Sequence, residues 1–183
     1  MMNNSNYNVL YIKSGPCDGE VVYKCYDSNE KKYFFIKTWL QNTQDHIKWF
    51  KWAAKEGIGV PITEVPNGIK MPAGLRLAEA VEKKYILHDE VEFQLNLIKD
   101  RLKEEQTAHC DVKYDNCMFF VGWGVRLIDN GDMSRYGEFR PVKTPGLNTT
   151  VLLQGQIPGQ AGPGTDEKGF GKILEQLNKS LGK

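Results

Sequence analysis

No stretch of this 183-residue chain approaches the roughly 20 consecutive apolar residues of a membrane-spanning helix, so no membrane span is expected. Net charge is nearly absent. The 24 Lys and Arg stand against 23 Asp and Glu, leaving +1, with no acidic tail. A chain without a global basic field lacks the electrostatic footprint of a nucleic-acid binder, and no nucleic-acid partner is expected. The N-terminus, MMNNSNYNVL, lacks the basic and apolar regions of a secretory signal peptide. Cysteine is scarce: Cys17, Cys25, Cys110 and Cys117 are the four present. Only the last two are close, at a C-x6-C spacing wider than zinc pairs use. Reduced thiols in a cytosol are the expected state. No internal repeat is visible.

What is present reads as an ordinary globular chain of one domain, long enough for a real core. The first third is strand-rich. Tyr11-Ile12 leads into a Gly/Pro turn, Glu20 to Tyr26 alternates, and Lys32 to Thr38 is rich in β-formers. Thr43 is a cap for a helix to about Glu56, with Ile47, Phe50 and Ala54 on one face. VPITEV and GIKM read as two short strands around Pro66-Asn67-Gly68, and PAGLRLAEA as a hinge and linker. Asp89 is placed to cap a long helix whose apolar face is Val91, Leu95, Ile98 and Leu102. CMFFVGWGVRLID reads as a hairpin turned at Gly122-Trp123-Gly124, and residues 132–165 as a long loop. A last helix from about Asp166 carries Phe170, Ile173, Leu174, Leu177 and Leu181 on one face. A strand-rich half with one helix thus precedes a helix-rich half, and clefts at such joins are where ligands bind.

At that join stands HCDVKYDNCMFF, residues 109–120, with its charge crowded directly before a strand. Phosphoryl transfer needs a carboxylate to orient a hydroxyl, cations for the phosphates, and oxygen ligands for magnesium. Asp111 is suited to accept the proton of an attacking hydroxyl. Lys113, two residues on, points the same way in an extended loop and would neutralise a γ-phosphate. Asn116 offers a carbonyl oxygen to a hard cation, and Asp129 a carboxylate, with Gly131 permitting a sharp turn after it.

HCDVKYDN resembles the protein-kinase catalytic loop H-R-D-x-K-x-x-N, and LIDNG resembles the magnesium-binding D-F-G. Asp111 and Asp129 are 18 residues apart, a separation typical of kinases. SGPCDGEVVYKC resembles the glycine-rich loop, with Gly15 and Gly19 where backbone approaches phosphate. YFFIKTW resembles the third strand, which makes Lys37 the phosphate-holding lysine. TDEKGFGKILEQL resembles the start of the long C-lobe helix, in which Asp166 braces the catalytic loop. The resemblance runs from about Gly15 to Leu177. It implies an α+β, two-lobed kinase-like fold, with an N-lobe at about 7–72, a hinge at about 72–76 and a reduced C-lobe at about 77–183. It also implies ATP and Mg2+ as cofactors, and Lys113 favours a Ser/Thr-protein kinase over a tyrosine kinase.

The chain departs from the pattern in places. Cys110 replaces the arginine that reads an activation-loop phosphate, so activity independent of such a phosphate is expected. Asn130 replaces the phenylalanine of D-F-G. No A-P-E occurs in 138–165, where the closest stretch lies around Gln154. Asp45 and Glu56 are both open as the helix acid that would pair with Lys37. The small C-lobe resembles the minimal kinases that bacteria inject into host cells. That likeness implies a cytoplasmic protein delivered to a host, a host signalling protein or chaperone as substrate, and a host partner as activator. Two alternatives are weighed. A small-molecule kinase shares H-x-D-x-x-x-x-N and I-D-x-G but generally lacks the lysine and needs a larger C-terminal part. A pseudokinase binding module would have lost a catalytic residue, whereas Lys37, Asp111, Asn116 and Asp129 are all present. His109 is expected to pack and hydrogen-bond the loop, His46 and His88 to lie on the surface, and Trp39, Trp49 and Trp52 to pack around the first helix.

Overall fold

The computed structural model describes residues 7–15, 18–139 and 160–182. The chain is mixed α+β. Its N-terminal part is an antiparallel five-stranded sheet, in the order β1-β2-β3-β5-β4. The strands are β1 (Tyr7–Ser14), β2 (Val21–Asp27), β3 (Lys32–Thr38), β4 (Thr63–Val65) and β5 (Gly68–Pro72). β3, KYFFIKT, is built from residues that suit a pleated, covered surface. Phe34 and Ile36 meet Cys25 on one face of the sheet. Phe35 points to the other face, where Trp39, Ile69 and Met71 pack with Ile47 and Phe50 of α1 (Thr43–Lys55).

The second half begins with β6 (Leu75–Arg76) and α2 (Leu77–Glu82), followed by α3 (His88–Glu104) and β7 (Thr107–Ala108). The hairpin β8 (Cys117–Phe120) and β9 (Gly124–Leu127) pairs with β6 in the order β6-β8-β9. β10 (Ser134–Arg135) pairs with β7, and α4 (Glu167–Ser180) closes the described chain. Val91, Leu95, Ile98 and Leu102 of α3 and Phe170, Ile173 and Leu177 of α4 form the largest core with Val112, Val125 and Leu127. The two halves are joined through α1: the Leu127 amide donates to the Ile58 carbonyl at 2.8 Å, just beyond that helix. Among the described residues, no helix is long and apolar enough to cross a membrane.

Several local expectations need correction. PAGLRLAEA is not a bare linker. Leu77 and Ala80, one turn apart, are fully buried and draw it into β6 and α2. Asp89 does not cap α3, which starts at His88; the Glu90 carboxylate instead accepts the Leu87 amide at 2.9 Å. Thr43 is the first residue of α1, and its hydroxyl donates to the Trp39 carbonyl at 3.2 Å. The buried face of α1 includes Ala53 in place of Ala54. Within 132–165, β10 and a bridge between Phe139 and Gln160 add order. Residues 140–159, with Gln154, lie outside the described residues, as does Cys17. Among the described residues Cys25, Cys110 and Cys117 form no disulfide with one another, and burial pushes the Cys117 thiol up.

Candidate functional site

The segment from β7 to β8 is held from behind. Cys110 adopts a left-handed conformation, φ 69°, which costs a non-glycine residue about 1 kcal/mol. Asp166, at the start of α4, offsets it. Its carboxylate accepts the amides of His109 at 2.6 Å and Cys110 at 3.0 Å. Asp166 thus braces the loop as expected, and does not use its side chain to cap its own helix. His109 is fully buried and donates Nε2–H to the Ile128 carbonyl at 3.1 Å, because a carbonyl can only accept. His109 therefore packs and hydrogen-bonds the loop, as its position suggested.

Three of the candidate side chains gather in that loop. Lys113 has extended backbone, φ −153° and ψ 163°, so its side chain falls on the side of Asp111. Its Nζ lies 2.6 Å from Asp111 Oδ2. Asn116 is buried and donates Nδ2–H to Asp111 Oδ2 at 2.8 Å and to the Asp111 carbonyl at 3.0 Å. The β8–β9 register then brings in the fourth. Cys117 faces Leu127, the Ile128 amide donates to the Asn116 carbonyl at 2.8 Å, and Asp129 follows. Asp129 is itself left-handed, φ 65°, a conformation that aspartate tolerates better than most residues. Asn130 is buried and donates to the Leu127 carbonyl at 3.1 Å, so an amide stabilises the turn.

Lys37 reaches the same point from β3. It is buried, with its ammonium bonded to Asp129 Oδ1 and lying 2.7 Å from Glu20 Oε2. A lysine snorkelling to solvent is excluded by that burial. Burial alone would lower its pKa, but Asp129 and Glu20 outweigh it and hold Lys37 above the ordinary lysine value. Burial would likewise raise Asp129. Lys37, then His109 and Lys113, pull it below the usual carboxylate range, so the aspartate stays ionised.

Gly15 and Gly19 lie in the β1–β2 connection, at the end of the sheet that carries Lys37. The Gly15 amide donates to the Glu20 carbonyl at 2.8 Å, and a Cβ on Gly15 would overlap the Glu20 side chain. Gly19 is left-handed, φ 64°, and Leu40 packs on it. Asp18 fixes the connection to α1 through His46 Nε2 at 2.8 Å, while His46 Nδ1 lies 3.0 Å from the Gly131 carbonyl. His46 is therefore not a surface residue. It is buried, stacks on Trp39 and links the glycine-bearing connection to the Asp129 turn. His88 is half-buried against Asn178 at 2.7 Å.

Neither helix acid meets Lys37. Asp45 is exposed, and Glu56 pairs with Arg101 at 2.6 Å. The partner is Glu20, which the sequence reading missed. Its signal lay in the hairpin register: Val22 faces Lys37, so Glu20, two residues earlier, falls on the same face as a diagonal neighbour. Among the described residues, no group of three or more His, Cys, Asp or Glu could hold a metal ion. Apart from the Asp111 and Glu20 carboxylates, which engage Lys113, Asn116 and Lys37, the oxygen donors gathered here are the Asp129 carboxylate and the Asn116 side-chain carbonyl, whose amide nitrogen is spent on Asp111. No family model matches the chain, and no curated protein matches it.

Proposed function

We propose that the chain is a two-lobed, kinase-like phosphotransferase that moves the γ-phosphoryl group of ATP to a Ser or Thr hydroxyl of a protein. One observation carries the reading. Lys37 and Asp129, 92 residues apart, are bonded to each other beside a loop in which Lys113 and Asn116 both hold Asp111. These are the residue types that phosphoryl transfer requires, converging from separate elements.

Asp111 Oδ2 is engaged by Lys113 and Asn116, which leaves Oδ1 to orient the acceptor hydroxyl and take its proton. Lys113 would then neutralise charge on the transferred group. Lys37 would hold the other phosphates, under backbone at Gly15 and Gly19. The donor set fits Mg2+, a hard cation that keeps several waters and needs only one or two carboxylates from the protein. Asp129 and Asn116 would hold it, and when bound it supplies screening of phosphate charge. In the same reading the sheet-bearing residues 7–72 are the N-lobe, and the C-lobe begins at about residue 77. The resemblance to kinases injected by bacteria extends the proposal to a host signalling protein or chaperone as acceptor, a host partner as activator, and action in a host cytoplasm.

The test is transfer of labelled γ-phosphate from ATP-Mg to the protein itself, to generic protein and to a eukaryotic lysate. Wild type should label one or a few bands, and Asp111→Ala should lose at least about a hundredfold of the rate with its fold unchanged. Equal labelling by Asp111→Ala, or silence of wild type in all three mixtures, would overturn the proposal.

A further inference from the structure

Lys37 has no acid from α1, yet it is a buried ammonium that must be oriented to be of use. We infer that Glu20, at the foot of the glycine-bearing connection and immediately before β2, is the positioning residue for Lys37, in the role that an acid on α1 would otherwise fill. The inference rests on the kinase reading above and deepens it at the same site.

Three observations support it. Glu20 Oε2 lies 2.7 Å from Lys37 Nζ and also accepts the Trp39 indole N–H at 3.3 Å. Trp39 is buried in the core beneath α1, so the carboxylate is anchored to the wall of the sheet and is not a loose loop charge. Glu20 directly precedes β2, whose register sets Val22 opposite Lys37, so the acid falls diagonal to the lysine beside the β2–β3 pair. Next, α1 has no acid to offer. Its inward polar residue is His46, which bonds Asp18 and the Gly131 carbonyl. Asp45 faces solvent and Glu56 serves Arg101. Finally, the ammonium has three N–H groups. Among the described residues Glu20 and Asp129 take two, and the third is left for a phosphate oxygen.

A carboxylate in this position aims the lysine without spending helix movement on it. Kinases whose lysine partner sits on a helix can be switched by shifting that helix. Here the partner travels with the lysine's own sheet, and the pair is built in.

The experiment compares wild type with Glu20→Gln, Glu20→Asp, Asp45→Asn and Glu56→Gln in steady-state phosphate transfer, together with calorimetric titration of ATP. Glu20→Gln keeps the shape and an acceptor for Trp39 but removes the charge. It should lower kcat/KM for ATP by about tenfold or more, the scale of one lost charge-assisted hydrogen bond, with KM for the protein acceptor unchanged. Glu20→Asp, which restores the charge on a shorter arm, should recover part of the loss. Asp45→Asn and Glu56→Gln should match wild type. A loss spread equally over both substrates would mark a merely structural role and overturn the inference. So would a rise in activity or ATP affinity in Glu20→Gln, which would make Glu20 a competitor of phosphate, or a Glu56→Gln defect as large as that of Glu20→Gln. Wild type that neither binds ATP nor transfers phosphate would overturn the kinase reading, and this inference with it. An active wild type with an unchanged Glu20→Gln would overturn this inference alone.

Discussion

Asp166 is the residue whose loss should be felt most widely. Its carboxylate accepts two backbone amides, those of His109 and Cys110, and it is nearly buried. A hydrogen bond to a charged group contributes about 1.5–3 kcal/mol net. Two such bonds set an upper bound of about 6 kcal/mol, reduced because truncation also removes the desolvation cost of the carboxylate. Asp166→Ala should therefore destabilise by about 3 kcal/mol, a large share of the roughly 5–15 kcal/mol of a typical domain. Asp166→Asn should not rescue fully. Its oxygen accepts one amide while its NH2 faces the other, donor against donor, and about 2 kcal/mol should be lost. Urea unfolding read by tryptophan fluorescence is the assay. At a slope of about 2 kcal/mol/M, Asp166→Ala should lower the midpoint by about 1.5 M with the slope unchanged. Amide exchange should show protection lost at His109 and Cys110 first. An Asp166→Ala midpoint within about 0.25 M of wild type would refute the reasoning, since the two amides would then be satisfied without the carboxylate.

Other predictions follow from single positions. Cys110→Gly should change stability by less than about 0.5 kcal/mol, because relief of the left-handed strain and the added chain entropy offset each other, whereas the β-branched Cys110→Val should cost about 2 kcal/mol; thermal unfolding decides. Two glycines of α4 should answer alanine with opposite signs. Gly169→Ala puts a Cβ 2.8 Å from the Val112 Cβ and should destabilise by about 1–3 kcal/mol. Gly171→Ala meets nothing and should stabilise by about 0.5–1 kcal/mol. Glu167 lies 2.7 Å from Lys99 and 2.6 Å from Lys103, tying α4 to α3. Burial pushes its pKa up, but hydrogen bonds from Lys103 and Lys99 prevail and hold it below the ordinary 4.5. A depressed folded-state value means the contribution is present above about pH 4.5 and is lost as pH falls through the folded value. Wild type should therefore exceed Glu167→Gln by about 0.5–1 kcal/mol at neutral pH, with the gap closing in acid and shrinking in high salt.

Much of the fold was legible because its signals are local. The period of Phe170, Ile173 and Leu177, and that of Val91, Leu95, Ile98 and Leu102, announces helices whose inner faces are those residues. The hairpin around Gly122-Trp123-Gly124 is equally local. Short elements held by distant partners were not legible. β6 exists because β8 pairs with it, and β7 because β10 does. α2 is too short to show a period, and only the burial of Leu77 and Ala80 reveals why it is helical.

For the candidate site the division follows the same physics. The order Asp111, Lys113, Asn116 is a matter of residue identity and spacing and was readable in the sequence, whereas the loop conformation that joins them is held by Asp166 from 57 residues away. Whether Asp129 meets Lys37, which charge Lys37 takes as its partner, and that His46 is buried are decided across 92, 17 and 85 residues of chain. Interactions of that span depend on strand register and on how α1 seats against the Asp129 turn. A carboxylate at the foot of a hairpin and one on a helix are alike in a sequence. Only the tertiary structure, by placing Val22 opposite Lys37 and Glu56 against Arg101, decides which of them the buried ammonium finds.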